Sequence, residues 1–308
     1  GTSKAIQEAI ALAKKAAPTD TTALLTGETG TGKEIFAHAI HQESNRSQKP
    51  FVAINCSAFS KDLLESEMFG YKAGAFTGAG KDKRGLFEEA NQGTIFLDEI
   101  GEMSPGLQAK LLRVLESGEF IKVGESKTTK VNVRIIAATH RNLEEEIALG
   151  HFREDLFYRI SAFRIKLPPL RERTADIELL VHYFISHFQS NTKSIKVAFE
   201  DHFLDLLKLH SWKGNIRELK NVIERSLILM ENNLLRIDYL PLEIQQLAIA
   251  FTPADAEKQL SGFSLAAAEK LHIQKIMNYT QGNKTEAARL LNIAITTLYR
   301  KLEEYKIS

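Results

Sequence analysis

Residues Gly27 to Lys33 read GETGTGK, between an apolar run at residues 22–27 and a segment of helical character. In this G-x-x-x-x-G-K spacing the glycines let backbone N–H groups converge on phosphate oxygens, and the lysine neutralises the outer phosphates. The positive end of the following helix adds to the attraction. The stretch therefore predicts a phosphate-binding loop at a strand-to-helix turn. A plain glycine turn is the alternative, because Glu34 stands where Ser or Thr usually reaches magnesium.

Four further apolar runs predict strands that alternate with helices. They lie at residues 51–55, 93–99, 131–139 and 162–168. A helix over residues 3–17, capped by Ser3 and ended by Pro18, precedes the first strand. This alternation predicts an α/β fold with a mostly parallel sheet covered by helices on both faces.

Beyond residue 168 the apolar periodicity becomes helical, up to about residue 246, and residues 249–262 lack strong periodicity. We expect an α/β domain at 1–168, a helical subdomain at 169–248, a linker at 249–262 that contains Pro and Gly, and a domain at 263–308. The last of these has helical patterns near 265–278 and 285–305, and a turn at Asn292 divides the second pattern into two helices. Such spacing is typical of a helix-turn-helix.

Composition and charge limit the possible location of the protein and the kinds of site it can contain. No apolar run approaches the roughly 20 residues that cross a bilayer, and no leader opens the chain, so a cytoplasmic protein is expected. One cysteine excludes a disulfide framework and a cysteine-built zinc site. The net charge is +1, but residues 269–308 carry seven Lys/Arg against four Glu. A basic tail favours nucleic acid, although a solvated helical face would look the same.

Two further stretches fit nucleotide hydrolysis. Residues 94–99, TIFLDE, end an apolar strand in Asp98, suited to magnesium, and Glu99, suited to polarising a water, although two acids could also simply start a turn. Charge on a transferred phosphoryl group also needs a cation. Arg153 and Arg159 in FREDLFYRI, and Arg217 in WKGNIREL, are candidates, with surface salt bridges as the default interpretation.

The stretch GYKAGAFTGAG at residues 70–80 holds one Phe-Thr pair among glycines and alanines. Together with GETGTGKE, IFLDE, FREDLFYR, LPPLRER and W-x-GN-x-REL, it resembles the AAA+ bacterial enhancer-binding proteins, ATPases that activate transcription by the sigma-54 form of RNA polymerase. The resemblance covers essentially the whole chain. It implies an AAA+ P-loop NTPase fold with a helical lid, followed by an all-α Fis-type helix-turn-helix domain.

The resemblance also implies roles for residues of the nucleotide site, with ATP and Mg²⁺ as cofactors. Asp98 would hold the metal and act with Glu99, and Asn55 would restrain Glu99 until the partner is engaged. Arg153 and Arg159 would be fingers that act on a neighbouring subunit. The cofactor-binding set would be Gly27, Glu28, Thr29, Gly30, Thr31, Gly32, Lys33, Glu34, Thr139, His140 and Arg217.

Partners follow from the same resemblance. The sigma factor would contact Gly74, Ala75, Phe76, Thr77, Gly78 and Ala79, unless that loop folds back on its own domain. Enhancer DNA would contact Thr296, Thr297, Tyr299, Arg300 and Lys301, with Leu291, Ile293, Leu298 and Leu302 as core, unless the tail is only a structural bundle. The family forms hexamers or heptamers through the ATPase domain and dimers through the tail.

The predicted function is ATP-driven remodelling of closed sigma-54 polymerase complexes into open ones by a bacterial activator bound to an enhancer. Two alternatives remain. One is a DNA-binding repressor that uses ATP only to assemble, and the other is a different AAA+ ATPase associated with DNA, such as a replication initiator or clamp loader. The intact Phe76-Thr77 pair argues against both.

Overall fold

The computed structural model describes residues 1–189, 197–251, 265–280 and 282–305. The chain divides into two compact units, 1–245 and 246–308. Most of the expected linker, residues 252–262, lies outside the described residues. Within the described ranges no helix has the length and apolar character needed to span a membrane.

The first unit begins with an α/β part that contains nine strands and seven helices among the residues described. In chain order they are α1 (Lys4–Ala16), β1 (Ala23–Thr26), α2 (Lys33–Gln42), β2 (Phe51–Asn55), α3 (Lys61–Phe69), β3 (Gly70–Tyr71), β4 (Lys83–Arg84), α4 (Leu86–Glu89), β5 (Thr94–Asp98), α5 (Pro105–Ser117), β6 (Glu119–Ile121), β7 (Thr128–Lys130), β8 (Arg134–Thr139), α6 (Leu143–Ala148), α7 (Glu154–Ile160) and β9 (Phe163–Lys166).

A five-stranded parallel sheet with the order β2-β5-β8-β1-β9 forms the centre of this part. Its two faces carry separate clusters of buried side chains, one built around Phe69, Phe87 and Leu97 and the other around Leu25, Ile40 and Ile136. Apolar runs form its central strands because helices cover both faces. The predicted α/β class, with its parallel sheet, is confirmed.

Two local predictions need correction. Ser3 stands before α1, but its hydroxyl donates to Asp176 Oδ2 at 2.7 Å and makes no capping bond. The predicted run at residues 131–139 forms a strand only from Arg134. The N–H of Val131 is not available to the sheet, because it donates to the carbonyl oxygen of Gly118 at 2.8 Å.

A helical part completes the first unit. It contains α8 (Asp176–Gln189), β10 (Ala198–Phe199), α9 (Phe203–Leu209), α10 (Asn215–Leu229), β11 (Leu234–Leu235) and α11 (Leu242–Gln245). Trp212 is fully buried here, and its indole N–H donates to the carbonyl oxygen of Leu207 at 2.7 Å. This satisfied indole anchors the turn that leads into α10.

The second unit contains α12 (Leu265–Tyr279), α13 (Lys284–Leu290) and α14 (Ile295–Glu304). The side chain of Asn283 caps α13 by accepting from the N–H of Glu286, at 3.2 Å. Asn292 adopts a left-handed φ of 54° at the turn, as predicted. The predicted core is confirmed, because Leu298 and Leu302 are buried and Leu291 and Ile293 pack against the same cluster.

Candidate active site

The phosphate loop lies between the end of β1 and the start of α2. Gly27, Gly30 and Gly32 have φ angles of 155°, 80° and 101°, which only glycine adopts freely. Gly32 precedes α2 without a side-chain cap, so the first N–H groups of this helix have no side chain bonded to them from that position. An α-helix N-terminus of this kind attracts phosphate.

Lys33 is 6% exposed, and its ammonium donates to the carbonyl oxygen of Gly27 at 2.9 Å. The same nitrogen lies 3.6 Å from Glu99 Oε1. The lysine therefore sits between its own loop and the acidic end of β5. From there it can exchange carbonyl oxygens for phosphate oxygens without a long movement.

Asp98 and Glu99 follow each other at the carboxyl end of β5. Burial, and then the charge of Glu99, raise the pKa of Asp98 above its usual value, while Lys33 opposes this shift. Burial also raises the pKa of Glu99, but hydrogen bonds from His140 and the charge of Lys33 outweigh it, so this pKa lies below its usual value. Neighbouring carboxyls with opposite shifts favour different roles.

Glu99 is held by His140, which follows β8. The Oε2 atom of Glu99 lies 2.6 Å from Nδ1 of His140 and accepts a hydrogen bond from the backbone N–H of His140 at 3.2 Å. Among the described hydrogen bonds none joins Asn55 to Glu99, and the Oδ1 atom of Asn55 accepts from the N–H and the hydroxyl of Ser57, at 2.8 and 2.7 Å. The restraint of Glu99 by Asn55 stays a prediction. Asn55 lines the cavity and caps the following turn.

These side chains surround a cavity of about 660 Å³ between the sheet edge and the helical part. Of the predicted site residues, the structure brings together Thr29, Gly30, Gly32, Lys33, Glu34, Asn55, Asp98, Glu99, His140 and Arg217. Arg217 comes from the first turn of α10, so the helical part supplies a cation opposite the acidic pair. Ile35 and Tyr183 add an apolar side to the same cavity.

Four predicted cofactor residues do not line this cavity. Thr139 is fully buried, and its hydroxyl accepts a hydrogen bond from the N–H of Arg141 at 3.0 Å. Thr31 is also buried, with its hydroxyl donating to the carbonyl oxygen of Glu28 at 2.8 Å. Gly27 and Glu28 line a separate cleft near β9. For these four, cofactor binding stays a prediction.

Arg153 and Arg159 also stay outside the cavity of their own chain. Both are exposed on or beside α7. Arg153 forms a two-bond ion pair with Asp155, at 3.0 and 2.6 Å, and Arg159 donates to the carbonyl oxygen of Leu115 at 3.0 Å. Both guanidinium groups are thus bonded to groups of their own chain outside the cavity.

Residues that the sequence did not single out connect the phosphate loop to the helical part. Asn215, which is fully buried, donates to the carbonyl oxygen of Thr29 at 3.0 Å and to Glu28 Oε2 at 3.1 Å. The next N–H, that of Ile216, donates to the carbonyl oxygen of Gly30 at 3.0 Å. Two arginines complete the connection. The guanidinium of Arg171 forms two bonds with the carboxylate of Glu28, at 2.6 and 2.8 Å. The guanidinium of Arg173 donates to the carbonyl oxygen of Thr31 at 3.1 Å. The motifs LPPLRER and GN-x-REL were the available sequence signals.

The loop at residues 70–80 presents Phe76, which is 46% exposed and meets Tyr71 edge to face at 4.9 Å between ring centroids. Gly74 and Gly78 have φ angles of 83° and 103°. A β-carbon at either would meet no atom within 4 Å, so the glycines serve the backbone turn and not a close contact. The base of the loop is tied by Lys72 to Asp82, at 2.5 Å.

Comparison with known proteins decides the family. Residues 1–166 match the family described as "Sigma-54 interaction domain", residues 171–256 match "AAA+ ATPase lid domain", and residues 264–305 match "Bacterial regulatory protein, Fis family". The chain belongs to the sigma-54-dependent activators. It is an AAA+ ATPase with a Fis-family C-terminal region, as its motifs predicted.

Several activators of this family are similar along most of the chain. The transcriptional regulatory protein ZraR of Salmonella typhimurium is 45% identical over 302 residues, which are 98% of this chain and 67% of ZraR. The Nif-specific regulatory protein of Klebsiella pneumoniae is 51% identical over 241 residues, 77% of this chain and 45% of that protein. The crystal structure of NtrX from Brucella abortus in complex with ATP superposes with a TM-score of 0.74 at 34% identity, covering all of this chain and 69% of NtrX.

The Fis-family unit of this activator presents Thr296, Tyr299 and Arg300 as exposed side chains of α14, with Thr297 half-buried. Lys301 differs from the expectation. Its ammonium donates to Glu269 Oε2 at 2.6 Å and lies over the ring of Tyr305, so it is turned toward α12. Lys301 is therefore not part of the surface expected to face DNA. The ammonium of Lys284 lies 4.9 Å from the centroid of the Tyr299 ring.

Proposed function

We propose that this chain hydrolyses ATP in the cavity between its sheet and helical part, and uses the cycle to remodel sigma-54 RNA polymerase from closed to open complexes. One observation carries the proposal. A buried lysine on a phosphate loop, a paired Asp-Glu at a strand end and an arginine from the helical part all face one cavity. That set supplies the groups that phosphoryl transfer requires.

The proposed chemistry assigns a role to each group. Lys33 and the N–H groups at the start of α2 hold the outer phosphates, and Arg217 balances charge on the transferred phosphoryl group. Glu99 accepts the proton of the attacking water as the water oxygen bonds to the γ-phosphorus and the bond to the bridging oxygen breaks. ADP and phosphate are the products.

Asp98 is the residue that would hold Mg²⁺. Its half-buried carboxylate has a raised pKa, so a bound cation would relieve the cost of charging it. Magnesium commonly takes one or two carboxylates together with phosphate oxygens and water, which this donor set can provide. The ion would neutralise charge on the β- and γ-phosphates.

Arg153 and Arg159 lie outside the cavity of their own chain, which favours action on the nucleotide of a neighbouring subunit. We therefore propose a hexameric or heptameric ring, with the ATPase part at residues 1–168 and the lid at 169–248. The segment 263–308 would bind enhancer DNA as a dimer, through Thr296, Thr297, Tyr299 and Arg300. With these partners the protein would act in the bacterial cytoplasm.

Phe76 and Thr77, within residues 74–79, would contact sigma-54. An exposed aromatic ring gains little from its own chain, whereas burial against a partner removes a large apolar area from water. The partial contact with Tyr71 leaves about half of the Phe76 side chain available. We expect the loop to change position with the nucleotide state.

Reconstituted transcription tests this proposal. Phe76→Ala should abolish open-complex formation at a sigma-54 promoter while ATP turnover stays within about twofold of the parent. Phe59→Ala is the matched control, since Phe59 is also a partly exposed phenylalanine, 38% exposed, outside the loop. Open complexes formed at the parental rate by the Phe76 variant would exclude Phe76 as the group that acts on sigma-54. If the parent protein itself turned over ATP but formed no open complexes, the remodelling role would be excluded, and a DNA-binding ATPase that does not act on sigma-54 would be favoured.

A further inference from the structure

His140 and Glu99 are in direct contact in the cavity, with 2.6 Å between His140 Nδ1 and Glu99 Oε2. The strand order places β8 beside β5 in parallel, with Leu97 opposite Ala137, so the residues just beyond the two strands face each other. Glu99 has a left-handed φ of 53°, and its own N–H donates to Asp98 Oδ1 at 3.0 Å. This uncommon backbone conformation turns the Glu99 side chain toward His140.

The two oxygens of Glu99 have different partners. Oε2 accepts two bonds from one residue, the backbone N–H and the Nδ1 atom of His140, while Oε1 lies 3.6 Å from the Lys33 ammonium. Because a carboxylate oxygen can only accept, Nδ1 carries the proton in this contact. If Lys33 bonds to phosphate, Oε1 of Glu99 would lose this contact, while Oε2 would keep its bonds to His140.

The support for His140 is itself rigid. The hydroxyl of the preceding Thr139 accepts from the N–H of Arg141, and the Arg141 guanidinium bonds to Glu102 at 2.7 Å. The backbone on both sides of His140 is thus tied to buried or ion-paired groups. A rigid donor of this kind can fix the orientation of a catalytic carboxylate.

We propose that His140 is a positioning residue, which anchors one oxygen of Glu99 so that the other faces the attacking water. The inference rests on the proposed hydrolytic role of Glu99 and changes the predicted role of His140, because His140 would act through Glu99 and not by binding the nucleotide. A misdirected base commonly costs one to two orders of magnitude in rate. His140→Ala should therefore lower kcat by about tenfold or more and leave KM for ATP nearly unchanged.

Conservative variants of His140 distinguish a role in positioning Glu99 from a role of side-chain size alone. The Nδ2 atom of asparagine can occupy the place of His Nδ1, whereas the Nε2 atom of glutamine corresponds to the distal ring nitrogen. His140→Asn should keep most of kcat, and His140→Gln should resemble His140→Ala. His151→Ala is the matched control, because His151 also pairs its Nδ1 with a glutamate, Glu146 Oε2 at 3.1 Å, but lies outside the cavity.

A double-mutant cycle on the full chain gives the decisive measurement. Adding His140→Ala to Glu99→Ala should change the residual kcat by less than about twofold, because the group that His140 positions is already absent. Additive losses, a raised KM with parental kcat, or a parental kcat in His140→Ala would each overturn the proposal. If Glu99→Ala itself turned over ATP at the parental rate, the proposed function of Glu99 would fail first.

Discussion

Replacing Asn215 by alanine removes the side chain that joins the phosphate loop to the helical part. Its Oδ1 accepts from the N–H of Leu170 at 2.7 Å, and its Nδ2 donates to the carbonyl oxygen of Thr29 at 3.0 Å, in a fully buried position. The φ of 54° adds a second cost, since alanine adopts this region at about 1 kcal/mol or more. Buried groups left without partners cost about 1–3 kcal/mol.

Together these effects predict a loss of about 3 kcal/mol in the free energy of unfolding. For a unit of this size that corresponds to a fall in Tm of about 6–12 °C. Trp212 is the single tryptophan of the chain, and its carbonyl oxygen accepts from the N–H of Asn215 at 2.8 Å. Thermal unfolding followed by tryptophan fluorescence therefore reports on the part that the substitution weakens.

Asn233→Ala is the matched control, because Asn233 has a similar φ of 59° but is exposed. It should lower Tm by only about 2–4 °C, the cost of the backbone conformation. Asn215→Gly should recover that part of the loss and keep the rest. Equal Tm changes for the two alanine variants would refute the claim that the buried carboxamide holds the loop and the helical part together.

Three further outcomes are expected. Arg171 and then Asn215 lower the pKa of Glu28 from 4.5 to about 2. The stabilisation is thus complete above the unfolded pKa and lost as pH falls from about 4.5 to about 2, so Arg171→Ala should lower Tm slightly at about pH 7 and less near pH 3. Gly30→Ala places a β-carbon 2.3 Å from the carbonyl oxygen of Gly214, so a fluorescent ATP analogue should bind at least about tenfold more weakly, whereas Gly106→Ala, with open space around it, should not change affinity. In a salt-titrated shift assay Arg300→Ala should weaken DNA binding and reduce the salt slope by about one, whereas Lys301→Ala should leave the slope unchanged, because this lysine is paired with Glu269.

Local patterns were enough to predict the fold. The five apolar runs became the five strands of the sheet, and the glycine spacing predicted the phosphate loop, because both depend on a few neighbouring residues. The contacts around Glu99 could not be read in this way. The strands β2 and β8 both lie beside β5, so even the strand order does not decide whether Asn55 or His140 bonds to Glu99. The side-chain conformations decide it, and in the structure His140 makes the contact.

The position of Lys301 also depends on a contact that no local sequence pattern shows. A helical pattern placed it with Arg300 near the expected DNA surface, but the pairing with Glu269 of another helix turned it away. Asn215 was overlooked for a related reason. Its importance comes from burial and from partners more than 40 residues distant in sequence, Leu170 and Thr29, which no local spacing reveals.

The hydrogen bond from the N–H of Ile216 to the carbonyl oxygen of Gly30 places one end of α10 directly on the phosphate loop. This helix has 15 residues, so it extends about 22 Å from that contact. A tilt of about 10° at the loop would displace its far end by about 4 Å by simple geometry. The helix would thus work as a lever arm, on which the loss of a single phosphate group becomes a displacement as large as a side chain.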